Sequence, residues 1–245
     1  MTQELKLIAI GGGEIGRTGY PVETTAIDEE IVRVSGKIRP KLLFIPTATS
    51  DSQVYIDAAE RHFKGTLGCK VDSLCLIRDN LSENEIRDKI DSADIIYVGG
   101  GSTDLMLDVW EKYNVSQLLK EASGEKVLSG LSAGAICWGK KTDGTVHECL
   151  ELVDLYFCPH YDERKEKFAG KSERFKQFLK DKTSVGIGLG DLSTFEVMGD
   201  KFRIIAGDDK AAAYAVFWDN GVCREVRLIA DGIFKNMTDL YRRLF

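Results

Sequence analysis

Histidine and proline are scarce in this sequence, with three and four in 245 residues. No apolar run approaches the ~18 residues that a membrane-spanning helix needs, so a membrane partner is not expected. Basic residues are not in surplus either: 33 lysines and arginines stand against 39 acids, giving a net charge of -6. They form no stripe that could track phosphates, which excludes nucleic acid as an expected partner. The opening residues, "MTQELKLIAIGGG", have no basic segment, leader-length apolar stretch or cleavage site, so a cytoplasmic protein is expected. The six cysteines, at 69, 75, 137, 149, 158 and 223, show neither C-x-x-C nor paired Cys/His spacing. Buried free thiols in a reducing compartment are expected, with no metal. No Pro/Ser linker, repeat or low-complexity tract interrupts the chain, so residues 1–245 are read as one domain.

What is present is a globular composition, 43% hydrophobic and 29% charged, in a regular order. Four short apolar runs, "KLIAIGG" (6–12), "KLLFIPT" (41–47), "KVDSLCLI" (70–77) and "DIIYVGGG" (94–101), end in glycine or proline or run out into charge, and "KVLSGLS" (126–132) is a fifth. Runs of this length, rich in Ile, Leu and Val, are strands buried on both faces. Helical patterns lie between them. Asp51 is placed to cap the first of these, and Ser82 with Glu85 forms a capping box for the next. "TDLMLDVWEKYNVSQLLKEAS" then carries apolar residues at three- and four-residue intervals. The order predicts an α/β fold of three layers, α/β/α, around a mainly parallel sheet whose ligands bind at the carboxyl ends of the strands. A further helix is predicted from Glu163 to about Lys180. Beyond it, short segments split by Gly-Asp and Asn-Gly predict antiparallel strands added at the sheet's edge.

"GGGEIG" (11–16) has the spacing G-x-G-x-x-G, yet Gly19 and Pro21 delay the helix that a dinucleotide site requires and the second strand ends without an acid. No nucleotide cofactor is expected. "GLSAGAI" (130–136) carries G-x-S-x-G, with Ser132 at a predicted strand-to-helix turn where flanking glycines relieve crowding around a nucleophile. Ala133 offers a backbone N–H there, and Gly99–Gly101, ending another strand, can offer a second to an oxyanion.

A serine nucleophile needs a base. His62 lies in the charged "AAERHFKG" and reads as a solvated surface residue; His147 follows a polar loop. His160 ends the apolar run "LVDLYFCPHYD" behind Pro159, which puts it on the same rim as Ser132. For the orienting acid, Asp191, Glu148, Asp154 and Asp162 stay open on composition alone.

Taken in order, "IPTATS", "IYVGGGST", "GLSAGA", "PHYD" and "VGIGLGDLSTFEV" span nearly the whole chain and resemble the dipeptidase E and cyanophycinase family of serine peptidases. The resemblance implies a fold like class I glutamine amidotransferases, with serine in place of the elbow cysteine. It implies that Ser132 attacks a peptide carbonyl, that His160 is the base and that N–H groups near Gly101 and Ala133 hold the oxyanion. The acid falls on Asp191, with Glu148 as second choice; here Gly190 replaces the aspartate usual before it, and aspartate replaces the family's glutamate. Lys171 stands nearest to the arginine that reads aspartate in the dipeptidase branch, and lysine lacks that bidentate fork. The implied activity is hydrolysis of small peptides without metal or organic cofactor; a homo-oligomer stays open. Two rivals remain: a non-catalytic small-molecule binding or regulatory protein on the same fold, and a carboxylesterase, although esterase histidines usually follow the serine at far more than the 28 residues seen here.

Overall fold

The computed structural model describes residues 4–242. Five strands alternate with helices in the first half: β1 (Lys6–Ile10), α1 (Thr25–Val34), β2 (Lys41–Ile45), α2 (Gln53–Ala59), β3 (Lys70–Ser73), α3 (Glu83–Ser92), β4 (Ile95–Val98), α4 (Thr103–Lys112), α5 (Val115–Ala122) and β5 (Val127–Leu131). A single turn, α6 (Ala133–Ile136), leads to β6 (Leu155–Pro159), α7 (Lys171–Phe178) and β7 (Val185–Leu189). The chain closes with β8 (Ser193–Met198), β9 (Lys201–Ala206), β10 (Ala213–Asp219), β11 (Val222–Leu228), β12 (Lys235–Asn236) and α8 (Met237–Tyr241).

The main sheet runs β12-β9-β8-β1-β5-β4-β2-β3. Its five strands from the first half pair in parallel, and β8, β9 and β12 extend it antiparallel beside β1. The pleat divides its side chains between two cores. Ile8, Ile10, Leu42 and Phe44 pack under α1 and α2, with Ile27, Ile31 and Phe63. Leu7, Ala9, Leu43 and Ile45 face the other way, toward Ile86, Trp110 and Leu118 of α3, α4 and α5.

Not all the later strands join that edge. β6, β7, β10 and β11 form a second sheet in the order β11-β10-β7-β6. The period of two explains it: Leu155, Phe157, Ile187, Leu189, Ala213 and Ala215 point into the same core as α4 and α5, whereas Tyr156, Cys158 and Val216 are covered by Phe175 and Leu179 from the α7 side. Both faces of β6 and β7 are therefore buried, while β11 at the sheet's edge stays largely exposed.

Three local expectations are corrected. Asp51 does not cap α2; Ser52 holds that place, and the Asp51 carboxylate accepts the N–H groups of Ile77 and Arg78 at 2.6 and 3.1 Å. The long helix after β4 is two, because Asn114 turns left-handed at φ 56°. The helix after β6 starts at Lys171 rather than Glu163, whose φ is 52°; the Glu163 side chain instead accepts from Gly170 and Ser172 N–H, both at 2.8 Å, at the start of α7. The capping box of Ser82 and Glu85 forms as expected.

Candidate active site

The ends of four strands meet at one seam. The run after β1, Gly11–Gly12, lies between the two sheets: His160 N–H donates to Gly11 O at 3.1 Å, Leu192 N–H to Gly12 O at 2.9 Å, and Ser132 N–H to Ile10 O at 2.9 Å. Ser132 follows β5 in the main sheet; His160 and the Gly190-Asp191 turn follow β6 and β7, parallel neighbours in the second. No dinucleotide-type helix begins at Gly11–Gly16, α1 starting only at Thr25.

Ser132 sits at φ 57°, ψ -107°, a conformation that costs a non-glycine residue about 1–3 kcal/mol and holds the side chain above the strand end. Both motif glycines are sterically required. A Cβ on Gly130 would lie 2.4 Å from Gly134 O, and one on Gly134 would lie 2.2 Å from Val98 O. The elbow is thus folded tightly against itself and β4.

Ser132 Oγ lies 2.9 Å from His160 Nε2, and His160 Nδ1 lies 2.5 Å from Asp191 Oδ1. With the Nδ1 proton donated to the carboxylate, Nε2 is left to accept from the serine hydroxyl. The imidazole is buried and stacks on Phe168 at 3.9 Å and 9°. Burial pulls its pKa below the ordinary histidine value, opposed by the hydrogen bond and charge of Asp191. Burial also works to raise the Asp191 carboxyl, but the His160 bond and the charges of His160 and Lys165 outweigh it, and the net shift is downward. Lys165 Nζ stands 3.5 Å from Asp191 Oδ2.

Asp191 is oriented from behind by Asp162, whose Oδ2 accepts its N–H at 3.1 Å. That contact accounts for Gly190, since a Cβ there would be 2.8 Å from the Asp162 carboxylate. Glu148 lies elsewhere, exposed and paired with Lys141 at 3.2 Å. Lys171 lines a neighbouring cavity with Thr142, Asp143 and Cys158, its ammonium 5.4 Å from the Phe168 ring; burial lowers its pKa. His147 faces Glu111 at 3.6 Å. His62, expected at the surface, is buried and bonded at 2.8 Å to the fully buried Asp28.

A cleft of about 300 Å³ opens over Ser132 and His160, bordered by Gly100, Gly101 and Tyr55, with Arg17, Lys165 and Lys167 at its rim. Within it Arg17 is held by Glu14. Tyr55, Phe168 and the Glu14–Arg17 pair went unread in the sequence. Phe168 left a trace there, as the lone aromatic residue of the charged stretch "ERKEKFAGK".

The sequence matches peptidase family S51 over residues 7–205. The chain belongs to peptidase family S51. It is accordingly a serine-type peptidase, a hydrolase of peptide bonds, and the resemblance to dipeptidase E drawn from the motifs is borne out. It is 31% identical over 234 residues to the uncharacterized peptidase YgaJ of Bacillus subtilis (strain 168), covering 91% of this chain and 96% of that one. It is 30% identical over 155 residues to the uncharacterized peptidase Lmo0363 of Listeria monocytogenes, covering 53% and 74%. The crystal structure of a peptidase from an acI-B1 Actinobacterium superposes with a TM-score of 0.72 at 19% identity, covering 96% and 98%, which shows the shared fold. Among the described residues no helix of this S51 peptidase is long and apolar enough to cross a membrane.

Proposed function

We propose that this S51 peptidase hydrolyses amide bonds of small peptides through an acyl-enzyme on Ser132. The observation that carries the reading is the unbroken line from Ser132 Oγ through His160 to Asp191, at 2.9 and 2.5 Å, on the floor of the cleft. His160 Nε2 takes the hydroxyl proton as Oγ attacks the carbonyl carbon, and Asp191 stabilises the imidazolium that forms. The oxyanion is received by the N–H groups of Gly101 and Ala133. Collapse of the tetrahedral intermediate expels the amine, which receives the proton from His160. A water activated by the same imidazole then releases the acid and restores the serine.

Substrate size and charge follow from the cleft. A volume of about 300 Å³ suits a few residues rather than a folded chain. Lys165 and Lys167 at its rim complement the terminal carboxylate of a short peptide, Arg17 being taken up by Glu14.

A fluorophosphonate probe tests the reading. Labelling of the wild type that vanishes in Ser132→Ala is the expected result, with loss of turnover across a dipeptide library in the same variant. Labelling that survives Ser132→Ala would place the nucleophile elsewhere. p-Nitrophenyl ester turnover without amide turnover would favour a carboxylesterase.

A further inference from the structure

Four consecutive backbone N–H groups, from Gly99 to Ser102, line the turn after β4 that faces Ser132. Gly99 N–H donates to Ile45 O at 3.0 Å and Ser102 N–H to Ala48 O at 2.8 Å. Gly100 N–H donates to the Tyr55 hydroxyl at 3.2 Å. That leaves the Gly101 N–H, which has no acceptor among the described residues and borders the cleft. The turn abuts the nucleophile, since a Cβ on Gly100 would lie 3.2 Å from the Ser132 Cβ.

A peptide unit between two glycines has little intrinsic preference for one orientation, because glycine adopts both signs of φ. Something outside the turn has to choose it. One side is set by the segment after β2: Gly101, at φ 147°, presses so closely on Ala48 O that a Cβ would come within 2.1 Å. The other side is set by Tyr55. Its ring packs edge-on against Phe44 at 5.0 Å and 82° and occupies the space a Gly99 side chain would need. Seven residues on, in the π-helical turn that continues α2, His62 is bonded to Asp28 of α1 at 2.8 Å, so the helix carrying Tyr55 is anchored at its far end.

We propose that Tyr55 is the positioning residue of the oxyanion-binding turn: by accepting the Gly100 N–H it fixes the Gly99–Gly100 peptide, and so the starting direction of the next peptide unit, which presents the Gly101 N–H to the tetrahedral intermediate. This rests on the acyl-enzyme reading of Ser132. Tyr55 transfers no proton in the reaction; burial pushes its hydroxyl up to about 12, so the phenol stays neutral throughout the working range.

The test compares wild type with Tyr55→Phe, which removes only the hydroxyl oxygen, on the best-cleaved member of a dipeptide library. Because loss of one oxyanion donor slows turnover by about 100- to 1,000-fold, and the variant leaves the donor present but free to turn away, kcat is expected to fall about 10- to 100-fold. KM stays within about twofold, and the pH limbs do not move. A peptide aldehyde, whose adduct with serine mimics the tetrahedral intermediate, loses affinity by the same factor as kcat, while a cleaved product binds unchanged. An unchanged kcat, or product affinity and KM weakening in step with kcat, would overturn the proposal. Should Tyr55→Phe fail to melt cooperatively, 3-fluorotyrosine at position 55 keeps the shape and weakens only the acceptor. A smaller fall in kcat with KM held then supports the proposal, and an unchanged kcat overturns it. Wild type that neither labels with fluorophosphonate nor cleaves dipeptides would defeat the acyl-enzyme reading itself; wild type that does both, with Tyr55→Phe equal to it, defeats only the role of Tyr55.

Discussion

A Cβ on Gly12 would lie 2.0 Å from Oδ1 of Asp191 and 2.5 Å from Cε1 of His160. The end of β1 therefore gives up its side chain to the His160–Asp191 pair, and the glycine is a steric requirement of that pairing. Gly12→Ala must push Asp191 or His160 out of line. Because misplacement by about 1 Å can cost about 100-fold, kcat/KM on a dipeptide is expected to fall at least that far. Overpacking adds a loss of about 1–3 kcal/mol in stability, read from urea unfolding. A variant keeping a third of its activity would show that the pair can move aside freely.

The pH profile follows from the direction of the His160 shift. In the proposed role of base the imidazole must be neutral, and burial holds its pKa below the ordinary histidine value of 6.5. Activity is thus expected to persist below pH 6.5 and to fall as pH drops through the lowered value. The positive charge of Lys165 contributes to that lowering. In Lys165→Met the acid limb of kcat/KM should move toward higher pH. A limb that stays put or moves downward would remove Lys165 from the electrostatics of the pair.

The rim cations make a prediction about substrate ends. Lys167 borders the cleft with its ammonium 4.8 Å from the Phe168 ring. Reversing its charge in Lys167→Glu is expected to raise KM for a dipeptide with a free carboxyl terminus several-fold, by an exposed-pair effect of up to about 1 kcal/mol. The C-terminally amidated peptide should be unaffected. Equal changes for both would mean that the rim does not read the carboxylate.

How much of this was legible in the sequence depends on how local each signal is. The elbow at Ser132, the strand end at His160 and the turn at Asp191 carry short-range signatures, and the structure brings all three together. Gly11–Gly13 was visible only as a weak nucleotide pattern, because its steric reason lies in residues about 150 and 180 positions away. The second sheet was hidden because period-two alternation is the same whether a strand joins an existing edge or buries both faces elsewhere. Tyr55 looks like any apolar position of α2; its hydroxyl acquires a role only when the turn after β4 arrives beside it.

His62 is the clearest case of context overriding pattern. Flanked by Glu60, Arg61 and Lys64, it sits where α2 widens into a π-helical segment, Glu60–Thr66, that turns it inward. There its Nε2 meets Asp28 Oδ2 at 2.8 Å, and the Thr24 hydroxyl donates to the same oxygen at 2.5 Å. Both side chains are essentially inaccessible. Burial alone would favour a neutral Asp28, and it holds the carboxyl above its ordinary value despite the bonds from His62 and Thr24. Removing His62 leaves the buried Asp28 carboxyl with only the Thr24 bond, and a buried polar group that loses a partner typically costs about 1–3 kcal/mol. His62→Leu is expected to lose that much in urea unfolding at neutral pH. The double variant His62→Leu/Asp28→Leu, which orphans only the Thr24 hydroxyl, should lose clearly less than the sum of the single losses. Strict additivity would mean that the two residues stabilise the fold independently and that the pair does not act as a unit.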